Sequence, residues 1–300
     1  MGLVRVLQGK LSRFRVLFPG VSAALMGEHP VHQLTNRSAS VPWNHAHIPG
    51  KLVQTNASNR VGKSHWIGIN QFRDQNPDID FCLFDTIDRD AYMHAAWKSH
   101  PIWQIYRDSL FGPMSADLFR YCFLWERGGF YLDIKSRFLA PMASLLEQDT
   151  KGLISYENRY SNVPGPKLLL ERLQHPTRLA LQWGMAFAPG HPFLKRLIDN
   201  IVAYESAFRD VVFADPQAAI CRFTGPGMFT MTLREHVALS SDHDIKQVGV
   251  DFDGRAEYDM PGAWSRWALR KHYSLARNQP ILARRVEPIE PSLTMAGPNP

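Results

Sequence analysis

Residues 116–135 read Ala-Asp-Leu-Phe-Arg-Tyr-Cys-Phe-Leu-Trp-Glu-Arg-Gly-Gly-Phe-Tyr-Leu-Asp-Ile-Lys, and the reading of this stretch decides the fold. Asp117, Arg120 and Leu124 fall at i, i+3 and i+7, so an acid and a base share one helical face while Leu118, Tyr121, Cys122 and Trp125 pack elsewhere. Gly128 and Gly129 can take the left-handed backbone that stops a helix. Phe130, Tyr131, Leu132 and Ile134 have the aromatic and branched content of a buried strand, which leaves Asp133 at its carboxyl end. Open α/β sheets bind ligands in the crevice beyond the carboxyl ends of their strands. Taken alone, the pattern also suits an ordinary helix–loop–strand with a solvated Asp133. In that case Asp117 and Arg120 form a surface bridge worth only about a few tenths of a kcal/mol.

The chain has 300 residues, 45% of them hydrophobic, enough to bury the core of one large α/β domain. Its net charge of +6 and pI near 9.3 suit a polyanionic partner: a nucleotide diphosphate, an anionic membrane surface or nucleic acid. The basic residues are scattered, and no zinc-finger spacing or aromatic-basic RNA-binding pattern occurs, which argues against nucleic acid. Cys82, Cys122 and Cys221 stand far apart in apolar contexts, as small buried hydrophobes in a reducing compartment. No apolar run approaches the roughly 18–20 residues needed to span a bilayer. Arg5, Lys10, Arg13 and Arg15 alternate with Leu3, Leu7, Leu11 and Phe14. This pattern fits a basic amphipathic helix on a membrane surface, a helix packed on its own domain, or a frayed leader. The expected location is cytoplasmic, with peripheral membrane contact as its extension.

The organisation expected is an N-terminal basic segment and irregular connector over 1–47, a catalytic-type domain over 48–286 and a Pro-rich tail over 287–300. Strands are expected at 51–54, 80–85, 152–156 and 185–188, and helices at 66–73, from about 89 to 110, and from Pro192. A second helical stretch is expected over 216–222 and a further helix after the 224–227 turn. From Asp242 onward, short strands and loops are expected. The strand–helix alternation predicts an α/β sheet.

The order of blocks resembles family 32 of the glycosyltransferases, typified by the mannosyltransferases that initiate yeast outer chains. The resemblance covers roughly residues 48–235. It rests on Ile48-Pro-Gly-Lys-Leu-Val-Gln-Thr55, on Asn76-Pro-Asp-Ile-Asp-Phe-Cys-Leu-Phe-Asp85, and on Ser115–Tyr121 followed by Gly128–Asp133. Gln182–Pro192 and Thr224-Gly-Pro-Gly-Met-Phe-Thr230 follow in order. It implies a GT-A type, Rossmann-like nucleotide-sugar-binding domain with a mixed central sheet flanked by helices. It further implies transfer of a hexose, mannose by preference, from a GDP- or UDP-sugar to a glycan or lipid-linked hydroxyl, with retention. The donor contacts implied are Gln54, Thr55, Asp117, Arg120, Gly129, Tyr131, Asp133 and Gln182; the catalytic group expected is Asp133, Arg120 and Asp117, joined by Lys135, which is this chain's own feature and not the family's. In chemical terms a carboxylate accepts from sugar hydroxyls and a guanidinium forks onto phosphate oxygens.

The sequence departs from that family at one place. Where the Asp-x-Asp pattern calls for a second carboxylate, this chain has Lys135. Two carboxylates so spaced can hold Mg²⁺ or Mn²⁺ against a diphosphate. Three arrangements stay open: Asp133 shares a metal with His272, Asp251 or Asp253; the Lys135 ammonium supplies the charge; or the protein binds a nucleotide sugar or glycan without turning it over. Lys135 can also simply face solvent, and His272 can be an ordinary surface or packed residue. Trp183 fits a core position or a place near the donor sugar. The 224–227 segment fits a plain turn with a glycine at positive φ, or a loop lining the acceptor side. His191 and Pro192 are expected to start a helix and nothing more.

Overall fold

The computed structural model describes residues 32–160, 172–239, 244–263 and 273–284. In chain order these contain β1 (His32–Gln33), β2 (Lys51–Thr55), β3 (Arg60–Val61), α1 (Lys63–Asp74), β4 (Asp80–Phe84), α2 (Thr86–Trp97), α3 (Pro101–Asp108) and α4 (Gly112–Arg127). There follow β5 (Gly129–Leu132), β6 (Arg137–Phe138), β7 (Gly152–Tyr160), β8 (Arg178–Ala180), β9 (Gly184–Phe187) and α5 (Pro192–Tyr204). The last are α6 (Pro216–Phe223), α7 (Pro226–Leu239), β10 (Ile245–Val250) and β11 (Ala256–Glu257).

Seven strands form a mixed central sheet in the order β10-β7-β9-β5-β2-β4, with β8 on β7. β5, β2 and β4 are parallel, β9 runs antiparallel between β5 and β7, and β10 is parallel to β7. The carboxyl ends of β2, β4, β5, β7 and β10 therefore open at one end of the sheet, together with the start of β9. This is the mixed, helix-flanked α/β architecture expected.

Alternation along β5 decides which layers the sheet separates. Tyr131 joins Val53, Ile154, Met185 and Phe187 against helices α4, α5 and α7. Phe130 and Leu132 face the other side, with Leu52, Phe72, Phe81, Phe138 and Met142. Each such side chain, fully withdrawn from water, contributes roughly 1.5–3 kcal/mol before entropy is counted. Helix α4 is buried nearly all round, which a helix tolerates only inside a domain. It ends at Gly128, whose N–H returns to the Leu124 carbonyl at 2.9 Å. Gly128 and Gly129 have φ of 63° and 99°. A Cβ on Gly129 would lie 2.6 Å from the Lys51 carbonyl oxygen, so the helix-to-strand reversal needs glycine there.

The helical region expected from about 89 to 110 is present as two helices, divided where His100 precedes Pro101 and its imidazole accepts from the Ile102 N–H. Two expectations are corrected. The segment after Asp242 holds β10, a six-residue sheet strand; Lys246, Gln247 and Gly249 interrupt its apolar alternation and hide it. Residues 32–47 are tied to the domain, since β1 pairs with β3 and Arg37 bridges Phe81. The remainder of the N-terminal segment and the Pro-rich tail lie outside the described residues. Among the described residues no helix is long and apolar enough to cross a membrane.

Candidate functional site

An open cleft of about 1540 Å³ lies at the carboxyl end of the sheet, walled by Thr55 at the end of β2, Thr86 after β4, Asp133 after β5 and Glu157 of β7. Gln182 and Trp183, which lead into β9, close the opposite wall. The floor is built from α4. Asp117 and Arg120, each only 5% exposed, stand 3.2 Å apart as an i,i+3 pair. Arg120 also reaches Asp133 at 3.3 Å. One guanidinium thus bridges two carboxylates, one from the helix and one from the strand end that the glycine reversal brings over it.

The groups around this bridge are paired through a dense set of hydrogen bonds. Arg120 donates through Nη1 to the Gln182 carbonyl (2.8 Å) and through Nε to the Ala116 carbonyl (3.3 Å). Its guanidinium lies 4.2 Å from the Tyr131 ring centroid. Asp117 accepts from Gln182 Nε2 (3.1 Å) and from Thr224 Oγ1 (2.9 Å). The Tyr121 hydroxyl donates to the Thr224 carbonyl (2.8 Å) and accepts from Gln182 Nε2 (2.7 Å). The Tyr131 hydroxyl donates to Asp133 Oδ1 (2.9 Å), and the Asp133 N–H donates to the Trp183 carbonyl (2.7 Å). Buried polar networks hold their members rigidly only when they are satisfied in this way.

Burial acts strongly on Asp117. Burial pushes the Asp117 carboxyl up to about 7, against the pull of Arg120 and the Thr224 hydroxyl. Burial also opposes charge on Arg120, but Tyr131, Asp133 and Asp117 around it hold its proton above the ordinary arginine range. Asp133 keeps 24% of its side chain in the cleft. On its far side Lys135 Nζ approaches Oδ2 at 3.9 Å and lies 3.4 Å from the Tyr258 ring centroid.

Of the residues expected to meet a donor, Thr55, Asp117, Arg120, Tyr131, Asp133, Lys135 and Gln182 line the cleft. Gln54 and Gly129 do not: Gln54 is buried with its amide donating to the Leu132 carbonyl at 3.4 Å, and Gly129 packs on β2. Trp183 lies on the wall with its ring 5.4 Å from that of Tyr258. Gly225 and Gly227 are absent from the positive-φ residues. Their small size is needed because a Cβ on either would lie 2.7 Å from the Cys221 backbone. His191 caps α5 by accepting from the Phe193 N–H, the helix-starting role expected.

Sequence reading missed Arg89 and Thr224. Arg89 is buried on the cleft wall and donates to the Tyr106 hydroxyl (2.9 Å) and to Thr55 Oγ1 (3.3 Å). An arginine in the first turns of an amphipathic helix carries no local mark of this. Thr224 sat in a quoted block, but its hydroxyl's partner lies 107 residues away.

The donor set fits a divalent metal poorly. Among the described residues no three His, Cys, Asp or Glu side chains gather to hold one. Asp251 and Asp253 are absent from the cleft lining; they sit in a left-handed turn with φ of 48° and 57° that buries Phe252 against Phe138 and Trp183. His272 lies outside the described residues. Asp117 is committed to Thr224, Gln182 and Arg120, and Asp133 is already flanked by two cations; Glu157 and Asp259 also line the cleft but form no three-ligand group with it among the described residues.

Comparison with known proteins bears on this geometry. The family described as "Glycosyltransferase sugar-binding region containing DXD motif" matches residues 63–151. The initiation-specific alpha-1,6-mannosyltransferase of Candida albicans is 26% identical over 178 residues, covering 55% of this chain and 46% of its own length. That of Schizosaccharomyces pombe is 24% identical over 212 residues, covering 66% and 50%. The chain thus spans about half the length of the curated relatives it matches. Among solved structures, the PaToxG glycosyltransferase aligns over 65% of this chain and 72% of its own at 14% identity, with a TM-score of 0.47.

Proposed function

We propose, for a chain whose residues 63–151 match the glycosyltransferase sugar-binding region containing the DXD motif, that the cleft takes a nucleotide diphosphate sugar and passes its hexose to a hydroxyl of a glycan or lipid-linked acceptor. The observation that carries this reading is Asp133, held at the carboxyl end of β5 on the cleft floor by a guanidinium that is itself buried. Mannose from GDP is the preferred donor, because two relatives are named as mannosyltransferases; UDP-hexoses come second.

Asp133 and Lys135 face the donor. Arg120 has its donors committed inside the protein, so it acts by fixing Asp133 rather than by forking onto phosphate. Asp117 holds Arg120 in turn, and both are positioning residues. In the reaction the bond from the anomeric carbon to the diphosphate oxygen breaks, with its electron pair going to that oxygen. The acceptor oxygen bonds to the same carbon from the same face, and its proton passes to the departing diphosphate, which gives retention. Preorganised charge beside the leaving oxygen lowers the barrier most where charge develops.

The test is a thermal-shift panel of GDP- and UDP-sugars, with and without Mn²⁺, followed by donor hydrolysis. A donor at 100 times its Kd should stabilise by about 2.7 kcal/mol, or roughly 4–5 °C for a chain of this size. Asp133→Ala should abolish the shift. No shift with any donor under either condition refutes the reading, whereas binding without hydrolysis or transfer favours a non-catalytic nucleotide-sugar or glycan binder, the reading that Lys135 motivates.

A further inference from the structure

We propose that the Lys135 ammonium occupies the electrostatic place of a divalent cation, so that this cleft engages the donor diphosphate without metal. The inference rests on the nucleotide-sugar reading above.

The first support is charge balance. At these two positions two aspartates and a divalent ion sum to zero, and so do Asp133 and Lys135, with the ion replaced by a covalently attached ammonium; Glu157 and Asp259 also line the cleft. The second is anchoring, since a lysine stands in for a metal only if its charge is held in place. Lys135 Nζ is confined between Asp133 Oδ2 at 3.9 Å and the Tyr258 ring at 3.4 Å, and the side chain is 13% exposed. Its backbone is pinned as well. The Lys135 carbonyl accepts from the Met260 N–H at 2.8 Å, and the neighbouring Ser136 donates to the Tyr258 carbonyl at 2.8 Å. The segment that carries the ammonium and the one that carries its aromatic platform are thus tied at two points. Cation–π contact of this kind favours the charged amine.

The third support is what a divalent ion would meet. Asp133 Oδ1 already accepts from Tyr131 and faces Arg120, and Oδ2 faces Lys135. An ion bonded to either oxygen at about 2.1 Å would have to displace one of these cations or lie close to it. Like charges packed so closely in a partly dry site repel strongly. During transfer the lysine keeps its proton. It stabilises the oxygen that receives the electron pair of the breaking bond, while the acceptor's proton goes to the diphosphate.

The experiment uses the full chain stripped with EDTA. Binding of GDP-mannose, and of UDP-hexoses in parallel, is measured by titration calorimetry in EDTA and in Mn²⁺, and donor hydrolysis is read under both conditions. The expected result is a wild-type Kd equal within about twofold in the two conditions, hydrolysis that survives EDTA, and at least tenfold weaker binding by Lys135→Ala. Lys135→Arg should keep metal-independent binding. Lys135→Asp should bind poorly in EDTA and regain binding in Mn²⁺, as restoration of the Asp-x-Asp pair requires. Wild-type binding that tightens tenfold or more in Mn²⁺, or Lys135→Ala that binds like wild type in EDTA, overturns the inference and leaves the nucleotide-sugar reading intact. Absence of binding by any donor in either condition removes both. The wild-type comparison decides even if a variant fails to fold.

Discussion

Replacing Asp117 by asparagine removes a titrating group while keeping the side chain's shape and most of its hydrogen bonds. Gln182 still finds an oxygen acceptor, and the Thr224 hydroxyl can rotate to accept rather than donate. The stability difference between wild type and Asp117→Asn should therefore report mainly the carboxyl's ionisation. Its ordinary value of 3.8 rises to about 7 in the folded chain because of burial. Between those values the folded state binds a proton that the unfolded state has released. The stability this group contributes is complete below about pH 4 and is lost as pH rises through about 7. At about 1.4 kcal/mol per pH unit, the wild-type-minus-variant difference should fall by on the order of 4 kcal/mol across that window. The assay is urea unfolding of both proteins at half-unit pH steps from 4 to 8, comparing midpoints at constant slope. Parallel curves would refute the claim that burial dominates at Asp117. A difference that grows with pH would mean that the ion pair with Arg120 dominates instead.

Two other predictions follow from the same network and its surroundings. Arg120→Met should cost roughly 3–5 kcal/mol of stability at pH 7.5, because it strands the buried Asp117 carboxyl and leaves Asp133 with Lys135 alone of its two flanking cations. The loss should be smaller in the Asp117→Asn background, and additivity by calorimetry or urea unfolding would show that the two residues are not coupled. His191 titrates the opposite way. Burial depresses its imidazole to about 4 in the folded chain, so its contribution is complete above about pH 6.5 and is lost as pH falls toward 4. His191→Gln, which can keep an acceptor for the Phe193 N–H, should flatten the acid limb of the stability profile; an unchanged limb would contradict the assignment.

Much of this molecule was legible in residue order because the signals involved are local. The switch from a 3.6-residue to a two-residue period across Gly128 and Gly129 marks a helix running into a strand, and that alone places Asp133 at a strand end. Pro101, Pro192 and Pro216 open helices as proline in the first turn should. Where local signals mislead, the structure shows why. β10 carries polar residues at positions that face neither core fully, and the glycines of 224–227, at the turn between α6 and α7, answer to a steric limit imposed by Cys221 rather than to a positive φ.

The opening stretch shows the division most plainly. Sequence by itself determined that Asp117 and Arg120 share a helical face and that Asp133 follows a glycine reversal, since helical pitch and glycine's backbone freedom act over a few residues. Sequence also determined that Lys135 stands where a second carboxylate would serve a metal. Only the tertiary structure decided that the pair is buried rather than a surface bridge. Thr224, 107 residues on, and Gln182, 65 residues on, close over Asp117, while the folding back of β5 sets Asp133 against the same guanidinium. Such contacts follow from sheet order and helix packing, which no short-range period encodes, and low-dielectric surroundings turn a weak exposed pair into the fixed floor of a cleft.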